Sequence, residues 1–169
     1  APTMQSLIDG LKYATSRKDL LGTYLVDLSA MFFAMPNALF PFWADQLHAT
    51  WALGLFYAAG TVGSIIVTLT SGWVKRYQKH GRAITFAAIG WGISIAFAGA
   101  TKSIWVTLFF LTLAGASDMV SALFRGLIWN QSIADEYRGR LAGIELLSYS
   151  VGPLGGQLRA GSMAAWTNL

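Results

Sequence analysis

The sequence predicts an all-α membrane protein, a polytopic helical bundle with about five transmembrane helices. Of its 169 residues, 54% are hydrophobic and only 12% charged, and the mean hydropathy is +0.49. A soluble domain carries roughly 25% charged residues. The apolar residues gather into blocks long enough for a helix to cross a hydrocarbon core about 30 Å thick. The basic residues collect in alternate connections between those blocks, a distribution that reports topology.

The elements follow in order. Residues 4–19, MQSLIDGLKYATSRKD, space Leu7, Leu11 and Ala14 at helical intervals among Asp9, Lys12, Arg17 and Lys18. That pattern predicts an amphipathic helix lying on the membrane surface, a cytoplasmic leader to the spans. Spans are predicted over 20–43, 51–74, 83–101, 104–130 and 141–166. Pro36 and Pro41 interrupt the first, with Asn37 after the first proline. A proline removes a backbone donor and frees a carbonyl, so this helix is expected to kink, either as a fixed bend or as part of a gate. Pro153 predicts a bend in the last span.

Orientation comes from the connections. Lys12, Arg17, Lys18, Lys75, Arg76, Lys79, Arg82, Arg138 and Arg140 fall on one side, and only Lys102 falls on the other, where Asp45 and His48 also lie. Nine against one places the start of the chain in the cytoplasm, and five crossings place residue 169 outside. Ala1-Pro2-Thr3 leads into a polar stretch without the basic-then-apolar order of a secretory signal. The chain is expected to begin inside a longer protein.

Helices in lipid associate through small residues that let backbones approach. Rows at four-residue spacing are Gly60, Ser64, Thr68 and Gly72; Ala88, Gly92, Ala96 and Ala100; Ala114, Asp118, Ala122 and Gly126; and Ser148, Gly152, Gly156, Ala160 and Ala164. Trp43, Trp51, Trp73, Trp105 and Trp129 lie near block ends and read as an interfacial belt, while Trp91 lies within a block and reads as packing.

Ionisable side chains at membrane depth are costly and mark function by default. Asp27 lies about 10 Å into the first block. Asp118 and Arg125, seven residues apart, share a face of the fourth block but are too distant to pair within one straight helix. Their partners must come from another helix. Glu145 and Arg159 bracket the fifth block, and both are also within reach of an interface by snorkelling. Arg125 is equally readable as an anchor for lipid phosphate, and Asp27 and Asp118 as members of structural interhelical pairs.

Several function classes drop out. The chain has no cysteine, and His48 and His80 stand in loops on opposite sides, so no metal cluster or nucleophile is indicated. GPLGG at 152–156 lacks the preceding strand and the Lys-Ser/Thr ending of a phosphate-binding loop. The net charge of +4 is spread between apolar blocks and forms no nucleic-acid face. No catalytic constellation is visible, so an enzyme is not expected.

The SLIDGLKY leader, the kinked DLSAMFFAMPNALFP, GLFYAAGTVGSIIVTLTSGWV with its KRYQKHGR loop, GASDMVSALFR, and YRGRLAGIELL followed by GPLGGQLRAG resemble the second half of major facilitator superfamily exporters. The branch they resemble is the enterobactin-exporter type, which includes siderophore and drug efflux proteins of bacteria. The resemblance covers nearly the whole chain. It implies twelve spans in two six-helix halves, of which these are the seventh to eleventh, with a first half of the same chain as partner.

In that family the loop after the second span of each half carries a glycine-to-basic motif, strongest in the first half. Here Gly72, Lys75, Arg76, Gly81 and Arg82 match it with extra residues and no Asp, as suits a degenerate second copy. GPLGG partly matches a signature of the fifth span of antiporters, at the symmetry-related eleventh position. Spans one to five of a first half have the same hydropathy, and the leader and the degenerate loop favour the second half.

The resemblance implies proton-coupled export of a small siderophore or drug-like molecule by alternating access in the bacterial inner membrane. It implies no bound cofactor beyond the proton-motive force and no nucleic-acid partner. The candidate pathway and coupling residues are Asp27, Asp118, Arg125, Asn37, Glu145 and Arg159. A non-transporting sensor or assembly factor on the same scaffold is the alternative.

Overall fold

A computed structural model of the chain describes residues 8, 9, 12, 13, 15–34, 36–133 and 135–167. Among the described residues the structure is helical, with short connections and no strand. The long elements are α1 (Lys18–Ala34), α2 (Phe40–Gln46), α3 (Leu53–Leu69), α4 (His80–Ala100), α5 (Ile104–Ser132) and α6 (Asp135–Thr167).

Four stretches are long and apolar enough to cross a membrane: Leu20–Gln46, Thr50–Leu69, His80–Ala100 and Ile104–Ser132. Their large apolar side chains point outward. Leu69, Phe86, Phe109 and Phe33 are exposed, and Trp51, Trp73 and Trp105 are exposed near helix ends. A water-soluble chain does not leave so much contiguous apolar surface uncovered, so these faces belong against lipid. The chain is a helical membrane protein.

The fifth predicted block is also helical, within α6, but it is not one of those four stretches. Five glycines, Gln157 and Arg159 dilute its apolar character. The helix continues through Pro153 without interruption.

The first span is broken where the prolines predict. α1 stops at Ala34, Asn37–Leu39 make a tight 3₁₀ turn, and α2 resumes at Phe40. The break belongs to Pro36, while Pro41 occupies the first turn of α2, where a missing N–H costs nothing.

Pro36 has no N–H to give the carbonyl of Phe32, four residues back, and the last carbonyls of α1 lack partners inside the helix. Arg159 of α6 supplies the missing donors. Its Nε donates to the Phe32 carbonyl at 2.9 Å and an Nη to the Phe33 carbonyl at 2.5 Å. Its guanidinium carbon also sits 6.0 Å from the centroids of both phenyl rings. A cation at a helix C-terminus also complements the helix dipole. The guanidinium is thus held by backbone carbonyls of α1.

α5 is the hub, packed most extensively against α4 and α3 and also touching α1. Where α3 crosses α5, a Cβ on Gly115 would fall on the Gly60 backbone, and one on Gly63 would fall on the Thr112 carbonyl. The backbones touch because these residues have no side chain, and the Ser64 hydroxyl donates to the Gly115 carbonyl at 3.1 Å across the same seam.

Gly60 and Ser64 of the predicted row therefore lie at the contact, whereas Thr68 and Gly72 are exposed. On α4 the buried positions are Ile84, Ala87, Ser94 and Ala98, so the predicted row is displaced and Ala96 and Ala100 face outward. Gly90 lies against Ser117 of α5, and Gly99 against the ring of Trp43. On α5 Ala114 is buried, and a Cβ on Gly126 would meet nothing. Gly152, Gly156 and Ala160 of α6 are buried as predicted, with Gly152 against Met31 and Leu28 of α1. The side chains of Ser148 and Ala164 lie outside the described set.

Trp43 and Trp129 depart from the interfacial belt. Trp43 packs with Phe40, and the Trp129 Nε1 donates to the Thr23 hydroxyl at 3.3 Å. Of the leader, Tyr13 is stacked on Tyr137 at 4.3 Å and its hydroxyl donates to the Ser132 carbonyl. Leu7, Leu11 and Ala14 lie outside the described residues.

Candidate functional site

The helical packing brings three of the predicted ionisable residues together. Asp27 lies in the middle of α1, Asp118 at the midpoint of the 29-residue α5, and Arg125 two turns further along α5. α1 and α5 run antiparallel, with Thr23 beside Trp129, which places Asp27 level with Arg125. The two form an ion pair, with side chains only 10% exposed for Arg125 and 12% for Asp27. Arg125 thus finds its partner on another helix, as its seven-residue spacing from Asp118 requires, and that partner is Asp27. This contact inside the bundle also replaces the reading of Arg125 as a lipid anchor. Its buried Nε has no hydrogen-bond partner among the described residues.

Asp118 differs from both. It is exposed to a cavity of about 380 Å³ lined by residues of α1, α3, α4 and α5. Asp27 also reaches this cavity. Phe40, Phe56, Tyr57 and Trp91 supply aromatic wall, and Asn37, Thr61 and Ser64 supply polar groups. Asn37, a predicted pathway residue, is positioned by the break in the first span, and its carbonyl accepts a hydrogen bond from the Tyr57 hydroxyl at 3.3 Å. The Phe40 ring meets Tyr57 edge-on at 5.0 Å. A recess of about 20 Å³, room for a water molecule, lies between Asp27, Asp118, Trp91 and Ser121.

Trp91, expected to be packing only, is therefore part of the cavity wall. Its position within a block, between Gly90 and Gly92, is the sequence signal that sets it apart from the tryptophans near block ends. Phe56 and Tyr57 carry no such signal, since they are ordinary members of an apolar span. Arg159 lies on the α1–α6 seam and does not line the cavity. The Glu145 side chain lies outside the described set.

The glycine-to-basic connection folds as a tight turn, Ser71–Arg76, followed by three irregular residues to the start of α4. Lys75, Arg76 and Arg82 are exposed, as are Gly72 and Gly81. The rings of Trp73, Tyr77 and His80 close around Phe124 at 5.6–5.7 Å, and Val74 and Ile84 are buried beside them. The connection is thus fastened to the residue preceding Arg125 in the chain.

Among the described residues no group of three metal-ligating side chains occurs. The site therefore comprises a buried carboxylate–guanidinium pair, a second carboxylate open to an aromatic cavity, and a broken helix between them and one end of the bundle. It can exchange a proton at a carboxylate, hold a charged ligand, and change the contact between α1 and α5. The chain matches no family model, no curated protein and no solved structure.

Proposed function

We propose that the chain is the second half of a proton-coupled secondary exporter of major facilitator type, with five membrane crossings and its leader in the cytoplasm. It works in the bacterial inner membrane and moves a small siderophore or drug-like molecule outward by alternating access. The observation that carries this reading is the Asp27–Arg125 pair joining two helices beside a mid-depth cavity into which Asp118 is open. The order of sequence blocks supports the family, and the distribution of basic residues supports the orientation.

Asp27 is the group whose protonation alters an interhelical contact. As a carboxylate it neutralises Arg125, and as a neutral acid it no longer does so, which frees α1 from α5. Removing one partner of a buried ion pair costs about 3–5 kcal/mol, enough to shift an equilibrium between two arrangements of helices. The break at Pro36 lets the segment beyond it respond separately from the rest of α1. Substrate in the cavity and a proton on the carboxylates then favour opposite arrangements, which is the requirement for coupling.

The test is export by the full-length protein in proteoliposomes under a pH gradient, with Asp27→Asn and Asp118→Asn. Each substitution is expected to lower proton-dependent export at least about tenfold. Undiminished, fully proton-dependent transport in both variants removes the carboxylates from the coupling role.

A further inference from the structure

We propose that the cavity is selective for organic monocations, a protonated amine or an onium group on an apolar or aromatic body, with Asp118 as the counter-charge. The proposal rests on the reading of the cavity as the transport site and names the substrate class. It begins from the charges. Arg125 is already neutralised by Asp27, and its side chain is almost entirely buried. Asp118 is open to the cavity and, among the described residues, has no cation within ion-pair distance. With both carboxylates ionised the three groups sum to a single negative charge, and the carboxylate that presents it faces the cavity.

The walls agree with this sign. Trp91, Tyr57, Phe40 and Phe56 line the space, and aromatic faces attract cations, most strongly where water is scarce. A cavity of about 380 Å³ falls within the range that takes a drug-sized molecule. In this low-dielectric setting a charge of the wrong sign has no compensating partner among the described residues, since Arg125 can be recruited only by breaking its pair with Asp27. An anionic chelator is accordingly disfavoured, and the proposed export narrows toward lipophilic amines.

Tetraphenylphosphonium and tetraphenylborate have nearly the same shape and opposite charge, so their comparison isolates the sign. Binding of each to the full-length protein in detergent is measured by equilibrium dialysis. The phosphonium is expected to bind saturably and the borate at least about tenfold more weakly. Asp118→Asn is expected to weaken phosphonium binding about tenfold or more, and Asp118→Glu to preserve it within a few-fold.

Equal or tighter binding of the borate to the unmodified protein overturns the proposal, even if no variant folds. Phosphonium binding unchanged by Asp118→Asn overturns it as well. No gradient is present, so a protein that binds the cation without moving it contradicts only the export reading. A protein that exports but prefers the anion contradicts only the charge assignment.

Discussion

Arg159 shows how one side chain can be visible in a sequence while its role is not. Its depth marked it as ionisable in an apolar helix, and the prolines marked carbonyls that would lose their donors. Nothing in the pattern connected the two, because residues 32 and 159 meet only when α6 lies along α1. The bonds to the Phe32 and Phe33 carbonyls are charge-assisted, and each such bond is worth about 1.5–3 kcal/mol. Arg159→Met is expected to lower stability by about 2–4 kcal/mol in denaturant titrations in mild detergent. Arg159→Lys, with one compact donor group in place of a fork, should fall between. Equal stability of all three proteins would mean that lipid, water or backbone rearrangement serves these carbonyls as well. Asp27 and Arg125 were legible in the same partial way: each was recognisable as costly at its depth, and the requirement for a partner on another helix followed from their spacing. Which helix provides it is tertiary information.

At the scale of elements, the existence of the helices was legible because hydrophobic blocks of sufficient length leave no other backbone arrangement in lipid. The break in the first span was legible too, since Pro36 acts locally. Which face of each helix packs was less so. A row of small residues every four positions is a sound guide where helices meet closely, as at Gly60 on α3, against the Gly115 backbone, and Gly152 on α6, against the Met31 and Leu28 side chains. On α4 several rows of alanine and glycine compete, and the buried one runs through Ala87, Ser94 and Ala98 because Ser117 and Phe124 of α5 meet that side. The α3–α5 crossing gives a sharp test. Gly115→Ala places a methyl on the Gly60 backbone and is expected to cost about 1–3 kcal/mol through separation of the helices. Gly54→Ala, also on α3, meets nothing within 4 Å and should be neutral or stabilising by up to about 1 kcal/mol. Both are read by unfolding in detergent, and indistinguishable effects would show that the crossing relaxes at no cost.

At the scale of the whole molecule, the direction of each helix decides how many times the chain crosses. α6 is too polar to be assigned by hydropathy, yet its contacts with α1 advance in step. Tyr13 meets Tyr137, Leu20 packs with Leu141, Met31 lies against Gly152, and Phe32 and Phe33 meet Arg159. The two helices are therefore parallel and side by side. A 33-residue helix is about 50 Å long, more than a hydrocarbon core requires. If α1 crosses from the cytoplasm outward, a parallel neighbour at the same depth crosses in the same direction, and its Arg159 is tolerated because it is held by the carbonyls of α1. This chain has no cysteine, so each single cysteine introduced into it is the only one among its 169 residues. In intact cells a membrane-impermeant maleimide is expected to label Lys102→Cys and Trp166→Cys, and to reach Lys75→Cys and Arg82→Cys only after permeabilisation. Labelling of Lys75→Cys in intact cells would invert the orientation drawn from the basic connections. Protection of Trp166→Cys beside a labelled Lys102→Cys would place the end of α6 on the cytoplasmic side, and the fifth crossing would be lost while the first four remained.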